Sequence, residues 1–140
     1  MYHYAPMDKA AFEWFNTFVP VLAVEDSCGI VAINEKNEYV GGCVLDNWTD
    51  TSVQCSFLIE NPMLLRDKFF HKCATFIFNE MGRVLVYVLV PSDNEKSLNF
   101  VTRMGFIEQA RLIGAFKDGV DYVILELKKE NCRHLLAEVA

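Results

Sequence analysis

Residues 83–106, RVLVYVLVPSDNEKSLNFVTRMGF, decide how this chain folds. Val84, Leu85, Val86, Val88, Leu89 and Val90 form an apolar, mostly β-branched run with only Tyr87 inside it. A short run of that kind, bounded by turn signals, reads as a strand covered on both faces. Pro91 stops it. Ser92, Asp93 and Asn94 follow, and their short polar side chains can accept from the free N–H groups of a new helix. Leu98, Val101 and Met104 then recur at helical spacing, with Lys96, Asn99 and Arg103 outward. Gly105 suits the left-handed residue that closes a helix, and Phe106 can fold back on the closure.

Upstream, residues 63–81 carry Phe69, Phe70, Cys73, Phe76, Ile77 and Phe78 on one face, which predicts a long helix closed by Gly82. Asn61-Pro62 separates it from a strand over 51–60, where Val53, Cys55, Phe57 and Ile59 share a face by period two. Residues 28–34 and 39–45 read as a hairpin about the polar turn 35–38. Gly41-Gly42 inside its second strand implies a bulge or a close approach by another group. Asp8 can cap a helix running to about Phe18, with Phe12, Trp14, Phe15 and Phe18 on a broad aromatic face, and Pro20 breaks it. Such a stripe serves as core or as one wall of a pocket. Residues 1–6 are a loose end or a short first strand, and 21–26 fit a helical turn or a strand equally. Downstream, 107–116 and 120–128 read as strands joined at Lys117-Asp118-Gly119, with Val123, Leu125 and Leu127 on one face of the second. Asn131 can cap a short helix to about Val139. The third strand and the 84–90 strand are linked by a helical crossover, so they run parallel in a largely antiparallel sheet.

The chain has 140 residues, enough for one domain with a real core, and 52% of them are hydrophobic. Its formal charge of −6 argues against nonspecific nucleic-acid binding, which needs cationic surface. No apolar run is long enough to span a bilayer, and MYHYAPMDK lacks a signal-peptide pattern, so a cytoplasmic protein without a membrane segment is expected. Five cysteines, Cys28, Cys43, Cys55, Cys73 and Cys132, form no CxxC pair, and four sit in apolar contexts. They read as buried thiols in a reducing compartment. His3, His71 and His134 are scattered, and no metal site is expected.

Asn94, Ser97 and Gly105-Phe106, following a strand at these spacings, resemble the corresponding helix of the GNAT superfamily of N-acyltransferases. The order of elements is similar over nearly the whole chain. The resemblance implies a single GNAT-like domain over 1–140, of mixed α/β (α+β) class. Its sheet would be mostly antiparallel and twisted, with a splayed central parallel pair and helices on both faces. A narrower resemblance links Ala110-Arg111-Leu112, Asp118-Gly119-Val120-Asp121-Tyr122 and Lys129-Glu130-Asn131-Cys132 to GNAT-like proteins encoded by bacteriophages. Trp48-Thr49, Ser52-Val53-Gln54 and Asn61-Pro62-Met63 are similar to the same group, whose substrates are mostly unassigned; the location would then be the host cytoplasm.

What the resemblance implies about chemistry centres on acetyl-CoA as co-substrate, with no metal. The splayed strand would offer its main chain at Phe57, Leu58, Ile59 and Glu60 to the pantetheine arm. The pyrophosphate would sit at the start of the next helix, where free N–H groups favour an anion. In the family that loop carries an Arg or Gln followed by glycines. Here it reads Arg66-Asp67-Lys68-Phe69-Phe70-His71: Arg66 and Lys68 fit, Phe69 and His71 replace glycines, and Asp67 adds negative charge. Asn94, Ser97 and Phe100 would line the arm from the following helix. Many relatives place an acidic tyrosine where this chain has Val101, which cannot donate, so Ser97 or a water held by Asn94 is the substitute. Glu60 is the candidate base. The expected function is acetyl transfer to an unknown amine of a protein or small molecule by direct attack. The alternative is a catalytically degenerate binding protein, a phage factor engaging a host or virion protein. The edge of the closing hairpin also permits a homodimer.

Overall fold

The structure is a computed structural model and describes residues 2–19 and 27–135. The chain runs β1 (His3–Pro6), α1 (Lys9–Asn16), β2 (Cys28–Ile33), β3 (Tyr39–Asp46), β4 (Ser52–Ile59), a 3-10 helix (Pro62–Arg66) and α2 (Phe69–Ala74). α2 continues as a wider π turn (Thr75–Glu80), followed by β5 (Leu85–Pro91), α3 (Glu95–Arg103), β6 (Ile107–Lys117), β7 (Val120–Lys128) and a 3-10 turn (Lys129–Asn131). The seven strands form one sheet in the order β1-β2-β3-β4-β5-β7-β6, and every pairing is antiparallel except β4 with β5. This is the mixed α/β sheet with a central parallel pair that the crossover predicts.

Helices lie on both faces, and the two glycines of β3 show how. Gly41 turns to one face, where an added Cβ would collide with Leu64 and approach the Phe69 ring at 3.7 Å. Gly42 turns to the other, where a Cβ would lie 2.6 Å from Met7 and 3.3 Å from Phe15. The pair therefore lets the 3-10 helix and α2 close on one face and α1 on the opposite one. The bulge is also present: the register with β2 slips between Ala32 and Ile33, leaving Val40 as the extra residue. Asp8 caps α1 by accepting from the Ala11 N–H at 2.9 Å.

Three expectations need correction. Residues 63–81 are not one helix. Asp67 is extended (φ −89°, ψ −161°), and this break lets both Leu64 and Phe69 point into the core, each fully buried. The 84–90 strand is not covered on both faces. Val86, Val88 and Val90 are buried under α2 and α3, whereas Leu85, Tyr87 and Leu89 are only half-buried. On that second face α1 packs against β3, at the other side of the sheet. The strand is Leu85–Pro91 and not 84–90: Pro91 stops it from inside, as its last residue in register with Tyr122, since its missing N–H costs nothing there. The start of the chain is a true edge strand, β1, paired with β2. The ambiguous 21–26 stretch lies outside the described residues, as does the C-terminal helix beyond its first turn at 133–135. Cys43, Cys55, Cys73 and Cys132 are buried free thiols, and Cys28 is half-buried.

Candidate functional site

The parallel pair opens partway along. β4 and β5 are joined at Ser52/Leu85, Val53/Val86 and Gln54/Tyr87, and at no later position. Which main-chain groups this frees follows from strand parity. Thr51 C=O accepts from Val84 N–H (2.9 Å), so odd-numbered residues of β4 turn toward β5. Glu60 N–H donates to Val40 C=O (2.9 Å), so even-numbered ones turn toward β3. Cys55, Phe57 and Ile59 therefore aim N–H and C=O into the opening, while the Leu58 main chain faces β3. The free edge is about 13 Å long at 3.3 Å per residue.

On the helix side the opening is walled by aromatic rings. Phe57 of β4 meets Phe100 of α3 at 5.4 Å and Phe70 of α2 at 5.8 Å, and Phe106 closes the group at 6.3 Å from Phe57. These edge-to-face and tilted contacts tie both helices to the diverging strand. Phe57, Phe70 and Phe100, chosen separately from the sequence, are thus neighbours.

The start of α2 is less open. Asn61 Oδ1 accepts from Met63 N–H (3.0 Å) and turns the chain into the 3-10 helix. Arg66 and Lys68 are exposed beyond it. Asp67 lies between them, and its Oδ2 accepts a 2.6 Å hydrogen bond from the Tyr4 hydroxyl of β1. That bond, with help from the Lys68 backbone N–H, holds the Asp67 carboxyl below the ordinary carboxylate range. Burial and the bond to Asp67 push the Tyr4 phenol up. Phe69 and Phe70 are buried, so only their main chain faces the helix start. Among the described residues no side chain caps α2.

Across the opening, Asn94 is the N-cap of α3: its Oδ1 accepts from Ser97 N–H at 3.2 Å, which leaves Nδ2 as its remaining polar group. Ser97 and Phe100 are half-buried on the helix, and Val101 is buried in the core. Gly105, at φ +105°, closes α3, with Phe106 N–H on Val101 C=O (3.0 Å) and Gly105 N–H on Thr102 C=O (3.1 Å). Glu60 is exposed at the end of β4.

The face opposite α2 and α3 carries residues that the sequence reading did not single out for chemistry. Asp46, Gln54, Tyr87 and Glu126 are in register across β3, β4, β5 and β7, and so form one row on one face. The row sits at the last paired position before the opening. Burial, and then the Asp46 charge, raise the Tyr87 phenol. Glu126 Oε2 is buried without a hydrogen-bond partner among the described residues. Tyr87 was visible as the one polar interruption of its strand, but only the register places two carboxylates in its row. Among the described residues no three His, Cys, Asp or Glu side chains converge to hold a metal. A cleft of about 630 Å³ lies at the opposite end of β5, beside Val84, Leu85 and Lys128.

No protein-family model matches this chain, and no curated protein matches it in sequence. In three dimensions the result is clear: the fold is the GNAT fold of N-acetyltransferases. Among the structures it resembles are several of SpeG, the spermidine/spermine N-acetyltransferase of Vibrio cholerae. A mutant form superposes with a TM-score of 0.79 at 11% identity, covering 100% of both chains. The complex with CoA and spermine gives 0.75 at 12%, covering 93% of this chain and 96% of that one. A dodecameric intermediate state gives 0.72 at 12%, covering 92% and 94%. At such identities the likeness is one of fold.

Proposed function

We propose that this chain is an acetyl-CoA-dependent N-acetyltransferase acting by direct attack of an amine. The observation that carries the reading is the opened β4/β5 pair of a GNAT fold, with the Cys55, Phe57 and Ile59 main chain free beside an apolar wall. A free strand edge satisfies the amides of an extended pantetheine arm, and the wall accepts its methylenes. Phe57, Ile59 and the side chain of Leu58 border the arm on β4; Asn94, Ser97 and Phe100 border it on α3. Arg66, Lys68 and the main chain of Asp67, Phe69 and Phe70 receive the phosphates, an arrangement weakened by the Asp67 carboxylate. The thioester then lies toward the closed end of the opening. As the amine forms the C–N bond and the C–S bond breaks, one proton leaves nitrogen and one reaches sulfur. Glu60, at the open end and about 20 Å along β4 from Gln54, takes the first only through a chain of waters. The second comes from Ser97, from a water held by Asn94 Nδ2, or from Tyr87 at the closed end. The acceptor is an amine of a protein or small molecule. Polyamines are the first to screen, because the Asp46–Glu126 row supplies negative charge and SpeG acts on them.

The test is thermal unfolding with and without saturating acetyl-CoA. Ligand at one hundred times its dissociation constant stabilises by about 2.7 kcal/mol, a rise of roughly 5–15 °C here. Arg66→Ala should shrink it.

A second reading, a GNAT-fold binding protein without catalysis, is favoured by one observation: the helix start already holds a carboxylate fixed by Tyr4. It includes the phage factor engaging a host or virion protein. Absence of any shift at millimolar acetyl-CoA would select it.

A further inference from the structure

The thioester lies at the closed end of the opening, and a carboxylate nearer to it than Glu60 comes from β7. Glu126 is in register with Tyr87, and Tyr87 with Gln54, at the last position where β4 and β5 pair. Glu126 is therefore one strand spacing, about 5 Å, from the tyrosine at the closed end, and on the same face. Its Oε2 is buried without a hydrogen-bond partner among the described residues. A carboxylate oxygen withdrawn from water and left unbonded is costly, so it marks an acceptor that waits for a donor. Tyr87 of β5 and Ile107 of β6 flank it, with Ile124 and the exposed Lys128 two residues away on its own strand. The other groups of the row are less well placed. Gln54 already receives the Asn47 Nδ2–H on its Oε1, and Asp46 lies two strands beyond Tyr87.

We infer that Glu126 is the proton acceptor for the attacking amine, and that it favours amines arriving as ammonium ions. The inference rests on the acetyl-transfer reading. An alkylamine reaches the row protonated and gives one N–H to Glu126 Oε2. That proton passes to the carboxylate, and the freed lone pair attacks the thioester carbon. The C–N bond forms, the C–S bond breaks, and its electron pair leaves on sulfur, which takes the Tyr87 proton. The phenolate recovers a proton from the new amide nitrogen, and Glu126 releases its own to solvent. Two protons leave nitrogen, one reaches sulfur and one reaches water, so the step balances. No water chain is needed between base and amine.

Wild type and Glu126→Gln, compared in three measurements, test it. Thermal unfolding with saturating acetyl-CoA should give the same shift in both, because Glu126 does not touch the pantetheine arm; no shift in the wild type defeats the transfer reading itself. Without ligand, Glu126→Gln should melt no lower than the wild type, since it removes an unbonded buried charge, whereas loss of a carboxylate needed for the fold would lower the melting temperature. Thiol release from acetyl-CoA, with spermidine as the amine and with water alone, reads the chemistry. Glu126→Gln should lower kcat/KM for spermidine about a hundredfold at neutral pH. Its residual rate should climb about tenfold per pH unit as free amine replaces ammonium, while the wild-type rate stays nearly flat. A Glu126→Gln variant with wild-type kcat/KM and pH profile overturns the assignment. So does a loss that follows Glu60→Gln and not Glu126→Gln, or a wild type that binds acetyl-CoA and releases no thiol to spermidine or water.

Discussion

Asp67 puts a carboxylate at the place where an anionic ligand would bind, and Tyr4 keeps it there. The sign of its pH dependence follows from both shifts. The Asp67 carboxyl is lowered on folding, so its stabilisation is present above the usual carboxylate range and is lost as pH falls through it. The Tyr4 phenol is raised, so its share is present below pH 10 and is lost only as pH rises beyond the ordinary phenol range. Wild type and Tyr4→Phe should therefore differ in melting temperature at neutral pH and converge on acidification. A gap that persisted at pH 2.5 would mean that the hydroxyl contributes by something other than its bond to the charged carboxylate. The same carboxylate repels phosphate: Asp67→Asn should tighten acetyl-CoA binding by about tenfold, an effect of the size expected for one charge at partly solvated distances. Calorimetric titration of the two proteins reads it directly. Tyr87 is the other residue with an assignable job. Tyr87→Phe should lower kcat by about a hundredfold while leaving KM for acetyl-CoA unchanged, as removal of a proton donor does. Unchanged kcat would leave Ser97 or water as the donor.

At the scale of the element, α3 joins stability and chemistry in one residue. Asn94 Oδ1 caps the helix, and only Nδ2 remains to meet a ligand or water. The two uses can be separated. Asn94→Ala loses both and should cost about 1 kcal/mol by thermal unfolding. Asn94→Asp keeps a good capping oxygen and loses the amide donor, so it should keep its stability and lose turnover. Equal losses of activity and stability in both variants would reduce Asn94 to a cap. The break at Asp67 has a comparable logic. A continuous helix over 63–81 would not turn both Leu64 and Phe69 inward, and the extended residue between them exposes the 3-10 end at Arg66.

For the whole molecule, the opening of the sheet makes a prediction about alternate amides of one strand. Phe57 and Ile59 N–H point into the opening and Leu58 N–H toward β3. Without ligand, hydrogen exchange should be fast at Phe57 and Ile59 and slow at Leu58; with acetyl-CoA the first two should become protected. Protection of all three without ligand would mean that the opening is closed in solution.

Much of this architecture was legible in the chain because it rests on local rules. The 84–90 run, the Asn94 cap, the Gly105 closure, the Gly41-Gly42 approach and the alternation of β4 and β7 each follow from periodicity or backbone sterics. Those rules act within a few residues, so the order of elements and the parallel crossover could be read from sequence. Other features rest on partners far apart in the chain. Tyr4 and Asp67 meet across 63 positions, and no local pattern announces that bond. The break in the 63–81 helix arises because Leu64 and Phe69 each fit a space made by β3, which a helical repeat cannot anticipate. The row from Asp46 to Glu126 exists only through the register of four strands. The exposure of β6 depends on its being last in the sheet, after β7 takes the place beside β5. Short-range chemistry thus determined which elements form. Long-range packing decided which of their side chains meet, and it is there that the candidate site arises.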